Sequence, residues 1–192
     1  MTGTSLSFYE LMKPIIFTPA LALLAAGLLL AVPGVRAQTT PFVEYTNFLQ
    51  AAAQGGMTEV KLGEFAAKKG TTDEIKDFGR EMVKDHGAMN AELKALADKK
   101  GVTLPTSLDA KHQELVDKMK NLPGSEFDDT YVLEMVKAHQ KDLQGFKDEL
   151  DGTHDPELQN FLAKSIPVVE MHLKHVAGMQ KASASPATDI KN

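Results

Sequence analysis

Four polar side chains stand where apolar ones are expected. Glu59 falls between Gly55 and Leu62, His86 between Met82 and Met89, His139 between Met135 and Leu143, and His172 between Val169 and Val176. Each interrupts a run of apolar residues spaced three and four apart, the spacing that lines one helix face. A buried carboxylate or imidazole without a partner costs on the order of several kcal/mol. One such interruption is noise. Four, each on a different segment, imply that they meet. Imidazoles and carboxylates that converge can ligate a transition metal, with Fe, Cu, Zn and Mn in range, or hold a small polar ligand. They can also form a closed hydrogen-bond network that fixes helix register and binds nothing. Redox catalysis of the oxidase or peroxidase kind needs open metal positions and a fuller ligand set.

Flanking these are Asp85, Tyr131, Glu170 and His175, groups that could orient the ligands from behind. A local repeat adds to the pattern. Glu81-Met82-Val83-Lys84-Asp85-His86 and Glu134-Met135-Val136-Lys137-Ala138-His139 agree at every position but the fifth. Met and His four apart share a helix face, and thioether sulfur favours Cu(I). Met is also ordinary core filler. His112 and His154 fall in a short helix and a turn and are expected to be solvated.

The elements that must position these residues are helices. Strand alternation is absent and β-branched residues are sparse. A first helix is expected over 43–69, with Phe48, Ala52, Gly55, Leu62 and Ala66 as its seam, Lys68 and Lys69 at its negative end and Gly70 as its stop. Thr71 and Glu74 stand at capping-box spacing ahead of a second helix that ends at Lys99-Lys100-Gly101. A short amphipathic helix over 108–122 is closed by Pro123-Gly124. A third long helix spans 126–150. Asp155-Pro156 opens the last one, in which Pro167 should introduce a kink.

Very short turns make the first two long helices one antiparallel hairpin and the last two another. The short helix between them carries the chain back about 20 Å. The second and third long helices then run parallel, the connectivity of an all-α, ferritin-like four-helix bundle with a short crossover helix. His86 and His139 come at about 22 and 21 Å along their helices. Glu59 and His172 come at about 16 and 12 Å, close enough for a polar cluster at mid-bundle.

The rest of the chain bounds the setting. It has 192 residues, no Cys and no Trp. Disulfides, iron–sulfur clusters and thiolate zinc sites are excluded. With 21 basic and 26 acidic residues the net charge is −5, unlike the basic stripe of a nucleic-acid binder. Residues 1–37 read as a signal peptide: Lys13, an apolar run to Val32, then Pro33-Gly34 and Val35-Arg36-Ala37. The alternative is an uncleaved anchor. Either places the domain, residues 38–181, outside the cytoplasm, in the periplasm or associated with the outer membrane. Residues 182–192, rich in Ser, Ala and Pro, read as a disordered tail. No phosphate loop, nucleophile elbow or His-Glu-x-x-His is present.

Several of these residues together resemble a known family. They are Asn47-Phe48-Leu49, Glu59-Val60-Lys61-Leu62-Gly63, Phe78-Gly79-Arg80-Glu81-Met82-Val83-Lys84-Asp85-His86, Phe127-Asp128, Tyr131, Met135-Val136, His139, Ile166-Pro167 and His172-Leu173. The chain is similar, over roughly 42–179, to the bacterial domain of unknown function 4142. The resemblance implies a ferritin-like bundle exported to the envelope, and no established activity. The di-iron ferritins carry Glu-x-x-His on two helices. Here Glu81 and Glu134 stand five before a His and Glu170 two before His172, which disfavours a carboxylate-bridged di-iron centre.

Overall fold

The computed structural model describes residues 41–184, with side chains from 45 to 181. The expected signal peptide lies outside the described residues, as does the expected tail from residue 185 onward. Helix reaches further than expected at that end, continuing to Ala184. The described residues form five helices: α1 Pro41–Lys69, α2 Asp73–Lys100, α3 Ala110–Asn121, α4 Gly124–Gly152 and α5 Pro156–Ala184. No strand occurs among them, and none of these helices is long and apolar enough to cross a membrane.

The topology is the expected one, all-α with two hairpins joined by a crossover. α1 packs most extensively on α2, and α4 on α5, while α1 also meets α4 and α2 meets α5. Contacts at the ends set the directions. Phe48, early in α1, meets Phe146, late in α4, with ring centroids 5.7 Å apart, so those helices are antiparallel. Asp128, early in α4, accepts from the backbone N–H of Thr71 at 3.0 Å and from its hydroxyl, so α2 and α4 start level and run parallel.

The caps differ in detail from the sequence expectation. Thr72, not Thr71, is the N-cap of α2 and accepts from the Ile75 N–H. Thr71 is drawn instead to Asp128, which ties the first turn to the start of α4. Lys69 does not serve its own helix end. Its ammonium donates to the carbonyls of Met119, Lys120 and Leu122 at 3.0, 3.0 and 2.6 Å, capping α3. Gly101 ends α2 with a left-handed φ of 69°, a conformation that favours glycine. The side chain of Gln54 pins the crossover to α1, donating to the Ser107 carbonyl and accepting from the Asp109 N–H, both at 3.0 Å.

α5 continues through Pro167 as one unbroken helix. The close approach of α1 to α2 rests on Gly63 and Gly79. A Cβ on Gly79 would lie 2.5 Å from the Ala67 nitrogen and 2.7 Å from the Gly63 carbonyl oxygen. The buried face of α1 is one residue off the expected seam near its start, since Leu49 and Ala53 are buried while Phe48 and Ala52 are only partly so.

The apolar core is in two parts. One contains Leu62, Phe78, Met82, Phe127, Tyr131 and Met135. The other contains Leu49, Leu93, Phe146, Leu158, Leu162 and Val169. Glu59, His86, His139 and His172 belong to neither, and all four are buried.

Candidate metal centre

Helix register brings the three histidines together from three helices. Their ring centroids are 5.4 Å (His86–His139), 5.2 Å (His86–His172) and 5.5 Å (His139–His172) apart, a nearly equilateral triangle. One ring nitrogen from each lies within 4.8 Å of the other two. All three side chains are almost wholly excluded from solvent.

Each ring has one nitrogen held from outside the triangle. His139 Nδ1 donates to the Met135 carbonyl, four residues back, at 2.8 Å. That bond leaves Nε2 as the lone-pair nitrogen, buried and without a partner. His86 Nδ1 stands 2.9 Å from Glu59 Oε2, too far off line for a hydrogen bond but well within charge contact. His172 Nε2 stands 3.2 Å from Asp85 Oδ2. Between the rings, His86 Nε2 and His172 Nδ1 are 3.2 Å apart.

The electrostatics follow from this packing. Burial pushes the Glu59 carboxyl up, but the charges of His86, His139 and His172 outweigh it and hold the group below the ordinary carboxylate range. Burial pulls His86 down, yet the Glu59 carboxylate outweighs that and holds its imidazole above its usual value. Burial lowers His139, and burial together with the charge of His86 lowers His172. The packing therefore favours one charged pair, Glu59 and His86, beside two neutral rings.

The other expected residues fall in different places. Asp85 is at the site, against His172. Tyr131 stacks on Phe127 with its hydroxyl buried and unpartnered, and burial and the Glu59 charge push that hydroxyl up. His175 is part exposed and meets Glu81 at 3.2 Å, outside the triangle. Glu170 is not brought to the cluster; it points outward and pairs with Lys147 at 2.7 Å. Glu59, expected among the ligands, stands behind His86 and His139, 3.5 Å from His139 Nδ1.

Asp142 was not anticipated. Burial, then the Glu59 charge, push its carboxyl up to about 7. It lines a cavity of about 10 Å³ with Glu59 and His86, room for about one water molecule. It also lines a cleft of about 240 Å³ between α1, α3 and α4, whose floor is Glu59 and Met135 and whose rim carries Lys111, Lys137 and Lys141. That cleft connects the surface to the back of the cluster.

Comparison with known proteins follows the fold. The profile of the family described as "Domain of unknown function (DUF4142)" matches residues 31–179. Among solved structures, the chain is similar to a DUF305 fragment from Deinococcus radiodurans, with a TM-score of 0.64 and 13% identity over 74% of this chain and 97% of that one. It is similar to CopM in the Cu(I)-bound form, with a TM-score of 0.62 and 16% identity over 73% and 97% of the two chains. CopM in the Cu(II)-bound form gives a TM-score of 0.62 and 16% identity over 72% and 96%. At these identities the likeness is one of fold. No curated protein matches the sequence.

Proposed function

Since the chain belongs to the DUF4142 family, whose description assigns no activity, we propose a function from the site itself: the protein binds a transition-metal ion at mid-bundle through His86, His139 and His172. The observation that carries this reading is His139 Nε2, a buried lone-pair nitrogen with no partner, set beside two further imidazoles. Such an atom is costly to bury unless something fills its lone pair.

The donor set fits a metal. Once His86 gives up its Nε2 proton, His86 Nε2, His172 Nδ1 and His139 Nε2 offer three neutral imidazoles, ligands suited to Cu, Zn, Fe and Ni. Two nitrogens bound tetrahedrally to one ion at ordinary bond lengths stand about 3.3 Å apart. His86 Nε2 and His172 Nδ1 are at 3.2 Å. The far side of each ring meets a carboxylate or a carbonyl: Glu59 for His86, Asp85 for His172 and Met135 for His139. Such partners fix ring orientation and raise ligand basicity. On this reading Glu59 positions His86 and is not itself a ligand. The ion would supply Lewis acidity or a stored charge in a water-poor core.

Copper is the first metal to test. CopM, which shares the fold, is described in Cu(I)-, Cu(II)- and Ag-bound forms. Export belongs to the same proposal and is supported by the sequence alone, through Lys13, the apolar run and Ala37. The envelope is then the compartment in which the ion would be met.

The experiment is metal analysis of tag-free protein, followed by titration with Cu(II), Zn(II), Fe(II) and Mn(II). The expected result is an equivalent that His139→Ala abolishes while the helical signal survives. A second reading has one observation in its favour. The His86–His172 contact is itself a competent hydrogen bond, and with Glu59 it forms a charged network that stabilises the bundle without any ion. No binding of any of the four metals, with His139→Ala lowering only the melting temperature, would establish that reading instead.

A further inference from the structure

His172 presents its two nitrogens to two different groups. Nδ1 faces His86 in the core, and Nε2 faces Asp85 Oδ2 at 3.2 Å, toward the surface. Outward of His172 lies a second set of donors on the same two helices. Glu81 and Asp85 are one turn apart on α2, and His172 and His175 are three residues apart on α5. One donor atom from each of Glu81, Asp85 and His172 lies within 4.8 Å of the others. His175 Nδ1 adds to the edge of this set, 3.2 Å from Glu81 Oε2.

We propose that this outer set is a second divalent-cation site, and that His172 is shared between it and the core triad. Three features support it. The donors are mixed, two carboxylates with one or two imidazoles, a combination that suits divalent transition metals. The site is half-open: the side chain of His172 is fully buried, while those of Asp85, Glu81 and His175 are 22%, 31% and 40% exposed. An ion can arrive from solvent and keep water on its outer face. The rings are held in place, since Phe78 packs edge-on against both His172 and His175, with centroids at 6.0 and 5.1 Å. Among the described residues the competing cation in contact is Lys84, 3.8 Å from Asp85 with a side chain 85% exposed, and an ion can displace it.

The proton balance is definite. A neutral imidazole has one lone pair and one N–H. With both nitrogens of His172 on ions, the ring gives up its own proton to solvent, so the second loading step releases a proton beyond the one that His86 yields when the triad loads. The sharing rests on the core triad reading. The outer site by itself does not.

The test uses Cu(II) alone as the probe, added stepwise to the full chain, with electron paramagnetic resonance and proton release as readouts. Two equivalents are expected. The first gives an ordinary Cu(II) signal. The second diminishes it, because an imidazole ring deprotonated between two Cu(II) ions couples their spins. The double variant Glu81→Gln/His175→Ala, at part-exposed side chains outside the triad, should keep the parent's helical signal. It should bind the second equivalent more than about 10-fold more weakly and keep the full signal of the first. Retention of both equivalents in that variant overturns the outer site. A single equivalent in the parent that only His139→Ala removes overturns it too, while leaving the triad standing. A single equivalent that Glu81→Gln removes and His139→Ala does not overturns the sharing and the triad together.

Discussion

His86 Nε2 and His172 Nδ1 meet at 3.2 Å across the α2–α5 interface, two imidazole nitrogens with room for one proton between them. The ring that carries that proton is decided by Glu59. Burial acts against charge on both rings, but Glu59 outweighs it at His86, while at His172 burial and the charge of His86 prevail over the contact with Asp85. His86 therefore donates and His172 accepts. A metal ion in the triad would take the place of that proton, so ion binding and protonation compete for the same nitrogens.

Removing the Glu59 charge should weaken the bundle within a window of pH. Glu59 is held below its ordinary value, so its contribution is present above that value and lost as the pH falls through the folded one. His86 is held above its ordinary value, so its contribution is present below 6.5 and lost as the pH rises through the folded value. The stability gap between parent and Glu59→Gln, read by urea unfolding of metal-free protein, is expected to be about 2 kcal/mol in the weakly acidic range and to narrow at both ends. A gap independent of pH would contradict the pairing.

Asp142 gives the opposite sign. Its carboxyl is raised from 3.8 to about 7, so its contribution to stability is full below 3.8 and is lost as the pH rises toward 7. Asp142→Asn removes that loss. Relative to the parent, the variant should become progressively more stable between about pH 4 and 7 and level off above, by on the order of 1–3 kcal/mol. Thermal melts across that range would show it, and a flat difference would not fit.

The ammonium of Lys69 should hold the crossover helix in place. Lys69→Met keeps the apolar stem but leaves the carbonyls of Met119, Lys120 and Leu122 without their donor. A loss of about 1–3 kcal/mol is expected, with hydrogen exchange quickened in α3 first. Uniform quickening over all helices would mean that Lys69 does no local capping.

Two glycine substitutions should differ in sign. Gly79→Ala drives a methyl group into the Ala67 nitrogen and the Gly63 carbonyl, and should cost more than about 2 kcal/mol as α1 and α2 separate. Gly145→Ala meets nothing within 4 Å on an exposed helix face and should stabilise by about 0.5–1 kcal/mol. Denaturant midpoints for the two variants check both.

Much of the site was legible because helix periodicity is a strict rule and buried polar groups are expensive. Glu59, His86, His139 and His172 each broke a seam, and a break is readable wherever the seam is regular. Asp142 escaped because it follows Lys141 and looks like one of a solvated charge pair. The signal was present, since Met135, His139, Asp142 and Phe146 continue one seam at spacings of four, three and four. Glu170 was drawn in by nearness in sequence. Two residues along a helix is a turn of about 200°, which sends it outward to Lys147. The capping role of Lys69 was not legible at all, because its acceptors lie some fifty residues away on a helix whose docking no local pattern specifies.

The division of the core has a last consequence. The four long helices pass through two sealed apolar chambers in series, with Phe127 in one and Phe146 in the other, and a thin polar diaphragm between them. Fraying at one end of the bundle need not spread to the other. A change in the charge state of the diaphragm touches both chambers at once. A proton or ion exchanged there acts at the junction of the two halves of the core, against Phe78 on one side and Phe146 and Val169 on the other.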